Sequence, residues 1–135
     1  MQHPILRTLM APLFLTLAWP ACAAGQAQWE QVVTDAQSSY YIDSASIQRQ
    51  GSARTFWSLR DYKTVQSTYD GKAYKSTLLK IELDCSSQEA TVLEITYFTG
   101  KMLSGDKAQR ESNFHNAQPI QANTPISRFA QRLCK

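Results

Sequence analysis

YYIDSASIQRQGSARTFWSLRDY, residues Tyr40 to Tyr62, reads as strand, turn, strand. Tyr40, Tyr41 and Ile42 make a short aromatic and β-branched run of the kind that suits a pleated surface. Asp43 and Ser44 offer side-chain acceptors to a turn, Ile47 resumes an extended segment, and Gly51 marks a second turn. Thr55-Phe56-Trp57-Ser58-Leu59 then alternates. A period of two puts Thr55, Trp57 and Leu59 on one face, with Trp57 expected in the core.

Downstream, Asp70-Gly71 is a short-range hairpin signal, because such turns need positive φ and glycine tolerates it. It predicts that the strand through Trp57 pairs with the one through Leu79. Ser76 to Cys85 has the clearest alternation, with Leu79, Ile81, Leu83 and Cys85 on one face and Leu78, Lys80, Glu82 and Asp84 on the other. Ser86 to Gln88 turns the chain. Thr91 to Tyr97 alternates again, with Leu93, Ile95 and Tyr97 expected inward. Gly100 to Asp106 reads as a loop, Lys107 to Asn113 as a solvated edge strand, and Phe114 to Ala122, which holds Pro119, as irregular. Upstream, Gly25 to Gln28 is a polar lead-in, Trp29 to Val33 a first strand and Thr34 to Ser39 a turn.

The last segment predicts a helix. Asn123 or Thr124 can cap it, and Pro125 suits its first turn. Ile126, Phe129, Ala130, Leu133 and Cys134 form one apolar stripe, with Arg128, Arg132 and Lys135 off it. The expected fold is α+β: an antiparallel sheet of about five to six strands with the C-terminal α-helix packed on it. Length predicts a single domain, over residues 25–135.

Residues 1–24 read as a signal peptide. Arg7 and the amino terminus are positive, and Leu9 to Trp19 is apolar but too short to span a membrane. Ala21-Cys22-Ala23 offers the small residues a signal peptidase reads, with cleavage after Ala23 or Ala24. Cys22 also raises lipidation, although Trp19 stands where a bacterial lipobox usually has leucine. Losing Arg7 and no acid takes the formal charge from +3 to +2, which calls for neither nucleic acid nor an anionic membrane.

Export leaves two cysteines, Cys85 and Cys134, in a disulfide-permissive space. Strand alternation puts Cys85 on the core face, and helical periodicity separately puts Cys134 on the packed face. A Cys85–Cys134 bond would fasten helix to sheet. It would close a loop of about 50 residues, for roughly 4 kcal/mol in loop-closure entropy.

Little in the chain suggests chemistry. His115 is the one histidine left after the leader, in the polar segment SNFHNAQ, with no GxSxG or HExxH nearby. Asp43, Asp61 and Asp84 sit at strand ends or turns, where aspartate commonly satisfies backbone donors. The glycines match no phosphate-binding spacing, and two cysteines without supporting histidines make no usual zinc site. No enzyme, cofactor or metal is expected. Basic and aromatic residues mix over 60–80, but export and low net charge argue against an oligonucleotide platform. A protein-binding surface suits the mixture better, with Arg60, Tyr62, Tyr69, Lys72 and Tyr74 as candidates on the hairpin tip and its flanks.

The order of features resembles the surface-adhesin protein E family of Gram-negative bacteria. The matching residues are Trp29, Tyr41-Ile42-Asp43, Ser46-Ile47-x-Arg49-x-Gly51, Trp57-Ser58-Leu59-Arg60-Asp61-Tyr62 and Tyr74-Lys75-Ser76. Asp84-Cys85, the stretch from Tyr97 to Gly105, and the Thr124-Pro125 helix ending in Cys134 complete them. One departure is that Phe114 or His115 stands where the family often has tryptophan. The resemblance implies an antiparallel sheet with a C-terminal helix in an exported, non-enzymatic protein of the periplasm or cell surface. The family's founding member is similar to an adhesin that binds host extracellular-matrix and serum proteins such as vitronectin and laminin; for this chain the expectation is a binding module whose partner is a host matrix protein or another envelope protein. With the latter partner the chain would be a periplasmic structural or assembly component with no adhesive role.

Overall fold

The computed structural model describes residues 25–112 and 114–135. The leader expected over residues 1–24, Cys22 included, lies outside the described residues. The chain runs through β1 (Trp29–Thr34), β2 (Ser38–Asp43), β3 (Gln48–Gln50), β4 (Ala53–Ser67), β5 (Ala73–Asp84), β6 (Glu89–Phe98), β7 (Lys107–Ser112), β8 (Gln118–Pro119) and α1 (Pro125–Leu133). Short 3₁₀ turns occupy Ser44–Ser46 and Lys101–Leu103.

All eight strands belong to one antiparallel sheet. The continuous order is β1-β2-β4-β5-β6-β7, with β3 beside β4 and β8 beside β6. The expected five to six strands are this continuous path. β3 and β8 add to it but span only three and two residues, too short to carry a periodicity of their own. β2 and β3 share the same edge of β4. The turn between them is fixed where Asp43 accepts from the Ala45 backbone and Ser46 Oγ accepts from Trp57 N at 2.9 Å.

α1 begins as the sequence predicts. Thr124 caps it in a reciprocal pair with Ser127, and Pro125 sits in the first turn. Its buried Phe129, Ala130 and Leu133 cover Tyr40, Ile42, Phe56, Ile81 and Leu83 of the sheet. The Phe56 and Phe129 rings meet at 5.4 Å. The Cys85–Cys134 disulfide joins β5's end to the helix terminus across a Cα separation of 5.4 Å. Leu133 O accepts from both Arg49 Nη1 and Arg54 Nε, each at 3.1 Å. Two guanidiniums from the β3–β4 hairpin thus meet the negative end of the helix dipole. Arg132 reaches Glu30 on β1.

Trp57 departs from expectation. Phe56, not Trp57, enters the core, and Trp57 lies half-buried on the opposite face, where Lys80 Nζ sits 5.7 Å from its ring. The reason is that β4 is covered on both sides. Leu59, fully buried, and Phe98 lie on the face away from α1, under the turn at 101–103. That turn is tied down where Ser76 Oγ donates to Gly100 O and accepts from Leu103 N. Alternation therefore marks two apolar faces on β4. Leu93 departs too. The register slips between Lys80 and Ile81, pairing Lys80 with Glu94 and Ile81 with Val92, so Leu93 is the extra residue of a bulge.

Candidate functional site

β4 and β5 outrun their neighbours. β2 leaves β4 at Tyr62, and β6 leaves β5 at Ser76. Beyond them the two strands continue as a paired arm out to Thr68 and Lys72. Between the pairs Asp61–Ser76 and Gln66–Tyr74 the register shifts, with four β4 residues facing Lys75 alone. Such an insertion bends a strand and increases its twist, so the arm leaves the line of the sheet. At its tip Thr68 N donates to Lys72 O and Gly71 N to Thr68 O. Gly71 has φ +83 while Asp70 stays at negative φ. The turn is therefore a three-residue loop closed by a left-handed glycine, the longer of the two geometries an Asp-Gly pair allows.

The five residues singled out from sequence fall into two groups. Arg60, Tyr62 and Tyr74 come together at the arm's base. The Arg60 guanidinium lies 5.0 Å from the Tyr40 ring centroid and 4.4 Å from that of Tyr62. Tyr62 meets Tyr74 edge-on at 5.5 Å, and Tyr74 meets Tyr97 at 4.8 Å. Burial pushes the Tyr62 phenol up to about 12, against a smaller opposing pull from Arg60, and also raises Tyr40 and Tyr97. Tyr69 and Lys72 stand apart at the tip. Tyr69 is fully exposed, and Lys72 Nζ lies 3.4 Å from Asp70. The Thr68 hydroxyl, then Lys72, hold the Asp70 carboxyl below its usual range.

Two further residues share that end of the molecule. Val65, on the arm, is 62% exposed, and Met102, in the turn beside it, is 43% exposed. Met102 N donates to Asp61 Oδ1 at 2.9 Å, which sets this turn against the arm's root. Met102 and Leu103 both take left-handed backbone, at φ 51 and 63, a costly conformation for bulky residues. The sequence signal was weak. Val65 stands alone among polar residues in KTVQST, and Met102 is hidden in a loop bounded by glycines.

The candidate catalytic carboxylates do not converge. Asp43 accepts from Gln28 N and Ala45 N, Asp61 from Met102 N, and Asp84 from Ser86 N and Ser87 N. His115 is exposed. Among the described residues, no three histidine, cysteine or acidic side chains gather as a metal site would require.

The family model described as Surface-adhesin protein E matches residues 29–135. The chain belongs to the surface-adhesin protein E family. Its fold is similar to solved structures of Haemophilus influenzae protein E. One crystal form superposes with a TM-score of 0.64 at 18% identity, covering 82% of this chain and 89% of that one. A second structure gives 0.61 at 17% identity over 82% and 86%. Protein E from a non-typeable strain gives 0.58 at 17% identity over 83% and 78%. No significant match is found among curated protein sequences. Family membership makes this an adhesin-like surface protein, and the solved structures show its fold. Among the described residues no helix is long and apolar enough to cross a membrane.

Proposed function

We propose that this chain is an exported, non-enzymatic binding module of the bacterial cell envelope that takes a host extracellular-matrix protein as partner through the β4–β5 arm. The leader over residues 1–24 would be removed, leaving one domain over 25–135. One observation carries the reading. Among the described residues, the exposed large apolar side chains, Val65, Tyr69 and Met102, all lie at the arm's end of the sheet. Exposed aromatic and methionine side chains are enriched in protein interfaces, with charged residues confined to the rim. Lys63, Lys72 and Lys101 supply the charged rim. The edge-to-face tyrosines at the base stiffen the arm, which lowers the ordering cost of binding.

The test is the affinity of the purified protein for immobilised laminin and vitronectin. Replacing Tyr69, Lys72 and Tyr74 together by serine should weaken binding by about 30-fold or more, the loss expected when a hot-spot aromatic is truncated. Val65→Ser with Met102→Ser should weaken it further without lowering the melting temperature. Unchanged affinity in both variants removes the arm from the site. Absence of matrix binding, with co-purification of another envelope protein, replaces this reading with that of a periplasmic assembly partner.

A further inference from the structure

A cleft of about 480 Å³ opens between α1 and the sheet, away from the arm's tip. That volume falls in the range of about 300–1,000 Å³ typical of small-molecule sites. Its walls are apolar: Leu79, Ile81 and Val92 from the sheet, and Ile126 and Phe129 from the helix. Arg60 and Tyr40 line one end. Arg60 donates through Nε to Ser38 Oγ at 3.0 Å, and its guanidinium carbon lies over the Tyr40 and Tyr62 rings, 5.0 and 4.4 Å from their centroids. Among the described residues no carboxylate lies within ion-pair distance of it, and its terminal nitrogens have no acceptor. Asp35 is the acid whose field it feels, and the Gln37 and Ser38 backbone N–H groups already engage that carboxylate.

A half-buried cation packed beside two aromatic rings, with its terminal N–H groups free, suits one oxygen anion. An apolar slot leading away from it is built for a hydrocarbon tail. We infer that the cleft binds an unbranched aliphatic carboxylate, a free fatty acid, with the carboxylate on Arg60 and the chain lying between β5, β6 and α1. Arg60 stands at the root of the arm, but the cleft opens between α1 and the sheet, so the inference does not rest on the adhesive reading.

The test uses isothermal titration of the mature protein with sodium dodecanoate below its micellar concentration. Expected is one saturable site. Dodecanol, with the same tail and no charge, should bind at least tenfold more weakly, because a charge-assisted pair is lost. Shortening the acid should weaken binding about fourfold per methylene. Arg60→Met should cut dodecanoate affinity at least tenfold and leave dodecanol within twofold. Arg60→Lys keeps the charge and should retain part of the discrimination. Ala90→Phe, which fills the cleft wall without touching Arg60, should abolish binding of both. Each variant is checked for the Cys85–Cys134 bond and a native near-ultraviolet spectrum. Equal affinity for acid and alcohol, or an Arg60→Met protein that still prefers the acid, overturns the assignment. So does unchanged binding to Ala90→Phe, co-sedimentation with phosphatidylglycerol vesicles in place of free-acid binding, or a dimer in solution that dodecanoate cannot enter.

Discussion

Removing the Cys85–Cys134 bond tests how α1 is held. The perturbation is the double substitution Cys85→Ala and Cys134→Ala, which leaves no free thiol behind in the domain. The two residues are separated by 49 positions, so the bond withholds a loop of that length from the unfolded chain. Loop-closure entropy makes this about 4 kcal/mol. In a domain of roughly 100 residues, where each kcal/mol moves the melting point by about 4 °C, the melt should fall by about 16 °C. Because the uncrosslinked chain exposes more surface on unfolding, the urea m-value should rise. The assay is equilibrium urea unfolding followed by circular dichroism and tryptophan fluorescence, run beside the oxidised parent. The folded baseline should keep its helical signal, because Phe129 and Leu133 remain buried and Arg49 and Arg54 still hold the Leu133 carbonyl. A loss below about 1 kcal/mol with an unchanged m-value would refute the entropic reasoning. A native state without its helical signal would show that the bond, not the packing, keeps α1 in place.

Three other outcomes follow from the same contacts. Phe56→Ala should cost about 3–5 kcal/mol in urea unfolding, since the ring is buried against Phe129, whereas Trp57→Ala on the opposite face should cost clearly less. Arg49→Ala with Arg54→Ala should destabilise by about 1–3 kcal/mol, leaving a helix-terminal carbonyl without its donors; either single substitution should cost less than half of that. The Ser86 hydroxyl, then the Ser86 and Ser87 backbone N–H groups, hold the Asp84 carboxyl down at about 2 from its ordinary 3.8. Its contribution is therefore present above pH 3.8 and is lost as pH falls through 2. Asp84→Asn should flatten the acid limb of the stability curve in that window, measured by melts in steps of pH.

The alternation at the Cys85 end of β5, where Ile81 and Leu83 are buried and Glu82 between them is exposed, and the capped stripe of the last helix were legible because each is covered on one face. Their cysteines then had one geometry in which to meet, and they meet there. Trp57 was misread because β4 carries apolar residues on both faces. The second face is covered by a turn that no periodicity announces, since Met102 and Leu103 hold their positions through positive φ and bonds to Asp61 and Ser76. Leu93 was misplaced by a bulge, which shifts parity without leaving a sequence mark. Of the candidate surface, the hairpin through Asp70-Gly71 was readable from turn chemistry. The split between a packed base at Arg60, Tyr62 and Tyr74 and an exposed tip at Tyr69 was not. It depends on where β2 and β6 stop, and strand ends elsewhere in the sheet leave no trace in the arm's own residues.

α1 follows all eight strands in the chain, yet it supplies the cover for their apolar face. Whatever delivers this polypeptide amino end first, ribosome or export pore, delivers Ile42, Phe56, Ile81 and Leu83 long before Phe129 and Leu133. The hairpins can zip from neighbouring contacts during that interval, but the finished sheet waits with one greasy side open. A chain cut short before Phe129 would therefore keep that face open, and both halves of its closure, the helix packing and the Cys85–Cys134 bond, lie in the last residues to be delivered.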